Sequence, residues 1–416
     1  MAGTLPIIVN NSIAEISGLT KRPVFFVKMA LGNPGRTTKR WDVVFKGEYA
    51  SAATATPGGG VQDAQRLRQT ENSIHWGSKL MKNVNNELVN TKIMTPGEVV
   101  VFRAKVQTTF AAGTPQYNNA MTAPYVWTKI PFVEGLTDAE AVDSGDRLNL
   151  TMMQNAVMRL MHHSAWRELG RIVAVDIFTA NNDRFEIQSD NPGKWINKGN
   201  LLFLNKGDTK VIGLDTFEGS NAASLISEQL TRVDPGLEYS YLLPLIDKNK
   251  QSAFGRKATA SVGTKLHQEW QEHLTDKDAA GRTLPTQIQV MVKGFLGREE
   301  SKTISIDQVP GLFLAYSGDM AEGIKTGAED MKKYLQGKYK QYAASMVAPA
   351  RPGLPPRPGL PPRPGGIPLP GMAGGVFPPP PGHGFQHGPP PNRPAPHIPI
   401  PRGILERMQF LGWMPK

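Results

Sequence analysis

The chain is 416 residues long, 45.4 kDa, with 47 Lys and Arg against 36 Asp and Glu, a net charge of +11. That length can bury a sizeable core in one large domain or two ordinary ones. The absence of cysteine excludes a disulfide framework, a thiolate-held zinc and a thiol nucleophile.

No stretch reaches the roughly 18 consecutive apolar residues of a membrane span, so integral membrane association is not expected. Residues 1–6 lack a basic stretch followed by an apolar one. The expectation is therefore a cytoplasmic chain without a secretory signal, or one in a host cytoplasm if it is an exported effector.

In chain order, residues 1–14 read as an extension. Pro23–Met29 and Trp41–Lys46 read as two strands of a hairpin that opens the fold, with Gly32-Asn33-Pro34-Gly35 turning between them. Residues 51–60 read as a loop, and residues 62–83 as a helix carrying Ala64, Leu67, Ile74, Trp76 and Leu80. Val99–Phe102 and Tyr125–Trp127 read as further strands.

Beyond Gly135 the pattern becomes helical over Asp146–Arg171, with a stripe of Leu150, Met153, Val157, Leu160 and Met161. The apolar run Ile172–Phe178 leads into Asn181-Asn182-Asp183-Arg184. Leu201–Leu204 and Val211–Leu214 form a hairpin closed by Asp215. The chain past Pro235 reads mainly as helix, with a last helix at Ala321–Met346.

The remainder, 346–416, holds 22 of the 35 prolines, seven basic residues and one acidic residue, Glu406. It therefore carries +6 of the net +11, which leaves the other 345 residues at +5. A folded basic face is not indicated, and nucleic acid is not an expected partner. Proline removes backbone donors, so this segment is expected to be a disordered tail with polyproline II character.

Within that tail, Pro352-x-x-Pro355-x-Arg357 and Pro358-x-x-Pro361-x-Arg363 repeat the pattern read by Src-homology-3 domains. Two prolines share one edge of a three-residue-per-turn helix, and an arginine meets an acidic pocket. Phe377 followed by Pro378–Pro381 suits profilin-like grooves. The apolar island Ile404–Trp413 has the composition to dock on the domain or on a partner.

The candidate chemistry lies in the middle. Carboxylates are costly to desolvate unless paired or bound to metal. Asn200 and Asp215 bracket a short hairpin, and two oxygen ligands at its open end suit Mg²⁺. An aspartate in the preceding loop, Asp183, is placed to orient or deprotonate a hydroxyl. Asp176 reads as a structural carboxylate. His162 and His163, without partners at metal spacing, read as surface or satisfied groups.

The strings Asp176–Phe185, Gly199–Phe203 and Ile212–Asp215 resemble the actin-fragmin kinases and, more distantly, the phosphatidylinositol kinases and other atypical kinases. The resemblance covers about residues 15–220. It implies an α+β, two-lobed protein-kinase-like fold, with an N-lobe at 15–134, a C-lobe at 135–345 and the tail beyond.

It also implies an ATP- and Mg²⁺-dependent phosphotransferase acting on Ser or Thr of a protein, actin or another cytoskeletal protein among the candidates. Asp183 would be catalytic and Asn200 and Asp215 the metal ligands. Lys46 would hold the nucleotide phosphates, paired with Glu71, while Lys28 competes for that role. Ser17 and Gly18 would begin the phosphate-covering hairpin, and Trp127–Glu134 would connect the lobes.

The chain departs from the family pattern in three ways: Gly18 stands alone in the covering loop, Asp183 and Asn200 are 17 residues apart, and Phe185 replaces a histidine. Two alternatives stay open. One is an inactive pseudokinase scaffold acting through the tail. The other is a lipid kinase whose basic patch would come from Lys194, Lys198 and Lys206.

Overall fold

A computed structural model describes residues 7–15, 23–30, 41–49, 60–85, 91–121, 125–133, 150–188, 192–197, 200–204, 211–214, 239–277, 281, 283–293, 299–347 and 399–415. Ser17, Gly18, Asp215, Lys198, Lys206 and the proline-rich motifs from Pro352 to Pro381 lie outside them.

The chain is a mixture of helices and antiparallel sheets. It divides into one unit of residues 1–338 with 401–416 and a second of residues 339–400. Among the described residues, no helix is long and apolar enough to cross a membrane.

The first sheet has five strands in the order β1 (Ile7–Glu15), β2 (Val24–Ala30), β3 (Val43–Tyr49), β5 (Tyr125–Pro131), β4 (Lys92–Ile93), with antiparallel neighbours throughout. The expected pairing of β2 with β3 is present. The segment taken as an N-terminal extension is instead largely strand β1, which pairs with β2. The Ser17-Gly18 segment connects these two strands in the chain.

Strand alternation sorts the side chains onto two faces. On one face, Phe25, Val27, Phe45 and Trp127 pack with Phe102 and Val106 of helix α2 (Pro96–Thr109). The Phe102 ring is 5.2 Å from Phe25, 5.2 Å from Phe45 and 4.8 Å from Trp127. The other face carries Val24, Lys46, Glu48, Val126 and Thr128, all buried, with Lys46 opposite both Val24 and Thr128.

Val99–Phe102 is therefore helix and not strand, and the short α3 (Pro115–Met121) follows it. Thr95 caps α2: its hydroxyl accepts from Glu98 N (3.3 Å), and Glu98 Oε2 accepts from Thr95 N (2.8 Å). Pro96 stands in the first turn, where its missing N–H costs nothing. These start signals overrule the β-branched run. Trp127–Pro131 is likewise core strand, so the expected connection at 127–134 cannot begin before Phe132.

Helix α1 (Gly60–Asn85) lies where a helix was expected and packs against α5 (His163–Thr179). The expected single helix to Arg171 is broken at Met161-His162 into α4 (Leu150–Leu160) and α5. The Ile172–Phe178 run continues α5. This helix is buried all round from Ile172 to Thr179, as befits the centre of a core.

β6 (Leu201–Phe203) and β7 (Val211–Gly213) form the expected hairpin. Beyond them come α6 (Lys248–Glu272), a β8–β9 hairpin (Gln287–Lys293, Glu299–Ser305), the short α7 (Val309–Leu314) and α8 (Ser317–Val347). The β8–β9 hairpin was not anticipated.

Glycine lets these helices approach closely. A Cβ on Gly170 of α5 would overlap the Met320 carbonyl of α8, and one on Gly323 would overlap the Arg167 carbonyl.

The disordered-tail reading does not extend to the apolar island Ile404–Trp413, which belongs to the first unit. Residues Arg402–Phe410 form helix α9, whose Ile404, Arg407 and Met408 are buried, followed by buried Leu411 and Trp413. The spacing 404, 407, 408, 411 is one buried helical face, apolar except for Arg407. In the second unit, residues 339–347 complete the last turns of α8, with Ser345 Oγ donating to the Tyr342 carbonyl at 2.6 Å.

Candidate functional site

The site begins where α5 ends. Ala180, the C-cap, has φ 59° and ψ 36°, the left-handed region that a residue with a Cβ seldom occupies. The turn is fixed by Asn181 N donating to the Asp176 carbonyl at 2.8 Å. Asn181 then bridges helix and loop: its Nδ2 donates to Asp176 Oδ1 (3.0 Å) and its Oδ1 accepts from Asp183 N (3.1 Å).

Beneath this turn, Arg184 and Asp176 form a fork-on-fork pair. Nε meets Oδ2 at 2.8 Å and an Nη meets Oδ1 at 2.7 Å, with both side chains fully buried. Asp176 is structural, as expected, but its partner is the Arg184 guanidinium rather than loop backbone alone. Burial pushes its carboxyl above the usual range, opposed by Arg184 and the Asn181 amide.

The other Nη of Arg184 donates to the Leu214 carbonyl, and Leu214 N donates to the Asn200 carbonyl at 2.8 Å. One guanidinium thus ties α5 to the end of β7, the residue immediately before Asp215.

Between Asp183 and Asn200, the described residues 184–188 and 192–197 are tied to each other. Phe185 bridges to Trp195, and Ile196 N donates to the Arg184 carbonyl at 2.9 Å. Glu186 N donates to the Lys194 carbonyl at 2.8 Å, and Gly193 N to the Glu186 carbonyl at 2.7 Å. Gly193, at φ 98°, lies against the α6 backbone, where a Cβ would stand 3.1 Å from the Phe254 carbonyl.

This segment is anchored on α6. Trp195 N donates to Ser261 Oγ (2.9 Å) and Lys265 Nζ donates to the Ile196 carbonyl (2.8 Å). The chain returns beside its starting point. Asn200 Nδ2 donates to Asp183 Oδ2, and Asn197 Nδ2 stands 3.5 Å from Oδ1.

Two of the expected residues, Asp183 and Asn200, are therefore in direct contact. Asp215 is outside the described residues, but its neighbour Leu214 is bonded to both Arg184 and Asn200. Asn181, Asn197 and the anchoring role of Arg184 were not foreseen. The Asn-rich composition of 181–200 was their only trace in the sequence.

Lys46 lies on the buried second face of the sheet, and its Nζ is 3.1 Å from Glu48 Oε1. Glu48, two residues along the same strand, takes the place expected of Glu71. Among the described residues, no ion pair joins Lys46 to Glu71, which is half-buried in α1. Lys28 pairs with Asp42 at 3.8 Å, a strand-face lysine as read. His163 is met by Asp319 at 2.6 Å on an exposed edge.

Among the described residues, no three His, Asp or Glu side chains cluster as a metal site. The candidate ligand set is of another kind: the Asn200 amide oxygen, turned away from Asp183 by the Nδ2 bond, and the carboxylate expected at Asp215. Oxygen-only donors of this type suit a hard divalent cation. No protein-family model, no curated protein and no solved structure matches this chain.

Proposed function

We propose that the chain is an ATP- and Mg²⁺-dependent phosphotransferase of the protein Ser/Thr kinase type. The observation that carries this reading is the convergence of Asp183, Asn200 and the residue preceding Asp215 around the end of α5.

Phosphoryl transfer needs positioning and charge stabilisation more than covalent chemistry from the protein. Asp183 would accept a hydrogen bond from the acceptor hydroxyl. The amides of Asn197 and Asn200 hold its carboxylate in one orientation, and Asn181 fixes its backbone. Lys46, in the middle strand of the five, supplies a buried cation for nucleotide phosphates, a role that lysines on such strands have in protein kinases. Asn200 and Asp215 would hold the magnesium, which supplies charge neutralisation on the phosphates.

The experiment is transfer of labelled phosphate from ATP, with magnesium, to proteins of a cell extract and separately to phosphoinositide vesicles. The expected result is protein labelling that Asp183→Ala and Asn200→Ala reduce by orders of magnitude at unchanged thermal stability. Full activity of Asp183→Ala would refute the assignment. Labelling of vesicles alone would make the acceptor a lipid.

A second reading is favoured by the Lys46–Glu48 pair, which neutralises within the strand the charge a nucleotide would use: an inactive scaffold. It predicts no thermal shift with Mg²⁺ and ATP. The proline-arginine motifs at Pro352–Arg363 and the run Pro378–Pro381 are proposed, on sequence alone, as ligands for Src-homology-3 or profilin-like domains.

A further inference from the structure

The C-terminal helix is placed against the base of the candidate loop. Trp413 stacks on Phe178 with ring centroids 5.6 Å apart and planes 5° from parallel. Phe178 is fully buried in the last turn of α5, two residues before Ala180 and five before Asp183. Trp413 is 2% exposed, and its backbone N–H donates to the Met408 carbonyl at 2.8 Å, which fixes its backbone against the end of α9.

A second aromatic contact, Phe410 with Tyr239 at 5.3 Å, holds the same helix next to the 3-10 turn Ser240–Leu245, which also packs on α5. An aromatic pair contributes beyond its buried area through its preferred geometry. Here that geometry constrains the one helical turn from which the left-handed Ala180 and the Asn181 bridge depart.

We infer that residues 401–415 are an intrachain clamp in which Trp413 is a positioning residue for the Asp183 loop. The chain leaves the first unit within α8 and returns to it only at Pro401. The clamp thus comes from a part of the sequence distant from the site. The kinetic part of this inference rests on the phosphotransferase reading. The structural part does not.

The test uses the full chain carrying Trp413→Ala, with Trp413→Phe as the conservative variant that keeps a stacking ring. Amide hydrogen exchange over residues 176–184 is expected to accelerate at least about tenfold in Trp413→Ala, with α2 unchanged, since local opening is governed by local packing. The kcat for phosphotransfer is expected to fall about tenfold or more while KM for ATP stays within about twofold, as misplacement of a reacting group lowers turnover.

Trp413→Phe is expected to recover most of both. If Trp413→Ala fails to fold, Trp413→Leu, which fills the space without a ring face, replaces it. Unchanged exchange at 176–184 in a folded variant would overturn the clamp. Altered exchange in a chain that transfers no phosphate even as wild type would keep the clamp and defeat the enzymatic reading.

Discussion

The Asp176–Arg184 pair permits a quantitative test. Both side chains are 0% exposed, and the guanidinium also serves the Leu214 carbonyl. Asp176→Asn keeps the volume but leaves a guanidinium, which cannot shed its proton, without its counter-charge. Breaking one side of such a buried pair costs about 3–5 kcal/mol.

Replacing both partners by apolar groups, Asp176→Leu with Arg184→Met, removes the charge problem. It still strands the Leu214 carbonyl and the Asn181 amide, at about 1–3 kcal/mol each. The double variant is therefore expected to lose less stability than the sum of the two single losses, by about 2 kcal/mol or more, a coupling measurable in a double-mutant cycle. Urea unfolding followed by tryptophan fluorescence reads it, because Trp166, Trp195 and Trp413 are all buried in this unit. Asp176→Asn within about 1 kcal/mol of wild type would refute the claim that this pair is the anchor of the loop.

Further outcomes are expected at Gly323, Ala180, Thr95 and Glu98. Gly323→Ala puts a methyl into the Arg167 carbonyl, so α5 and α8 must separate; a loss of about 1–3 kcal/mol in urea unfolding is expected. Ala180→Gly removes the Cβ from a left-handed position, and a gain of about 0.5–1 kcal/mol in the same assay is expected.

At Glu98, burial raises the carboxyl's pKa, but Lys129 and the Thr95 cap outweigh it and hold it below the usual range. A folded pKa below the unfolded one gives stability that is complete above the ordinary carboxylate range and lost as pH falls through the lowered value. Thr95→Ala should cost about 1 kcal/mol at neutral pH, and Glu98→Gln should flatten the acid limb of the stability profile.

Strands β2, β3 and β5 were legible because runs of β-branched and aromatic residues such as Val24–Val27 and Val43–Phe45 are a local property, whereas β1 and the two-residue β4 were not read. The helix at 96–109 was misread because three consecutive valines speak for a strand, while Thr95-Pro96-x-Glu98 states a helix start in only three residues. The expected ion pair of Lys46 failed for a related reason. Sequence offers Glu71 on a following helix, but register puts Glu48 on the same strand face at 3.1 Å, and proximity along a pleat decides. The α9 helix was visible as an apolar island, but its docking site, Phe178, could not be named from pattern alone.

The 17-residue separation of Asp183 from Asn200 shows why spacing in the chain is a weak guide to a site. It would argue against a shared site if the intervening residues were a slack loop, since fixing such a loop costs entropy at every residue. Here the intervening chain is tied to itself by Phe185 and Trp195 and to α6 by Ser261 and Lys265, so its two ends are set by packed secondary structure. The Asp183–Asn200 contact is consequently set by the end of α5 and by the loop's anchorage on α6. Weakening that anchorage, as Ser261→Ala does by orphaning the Trp195 N–H, is expected to loosen Asn197 and Asn200 before it disturbs Asp183. The measurement is again hydrogen exchange: protection falling at 195–200 while 176–184 holds would support this order, and the reverse would contradict it.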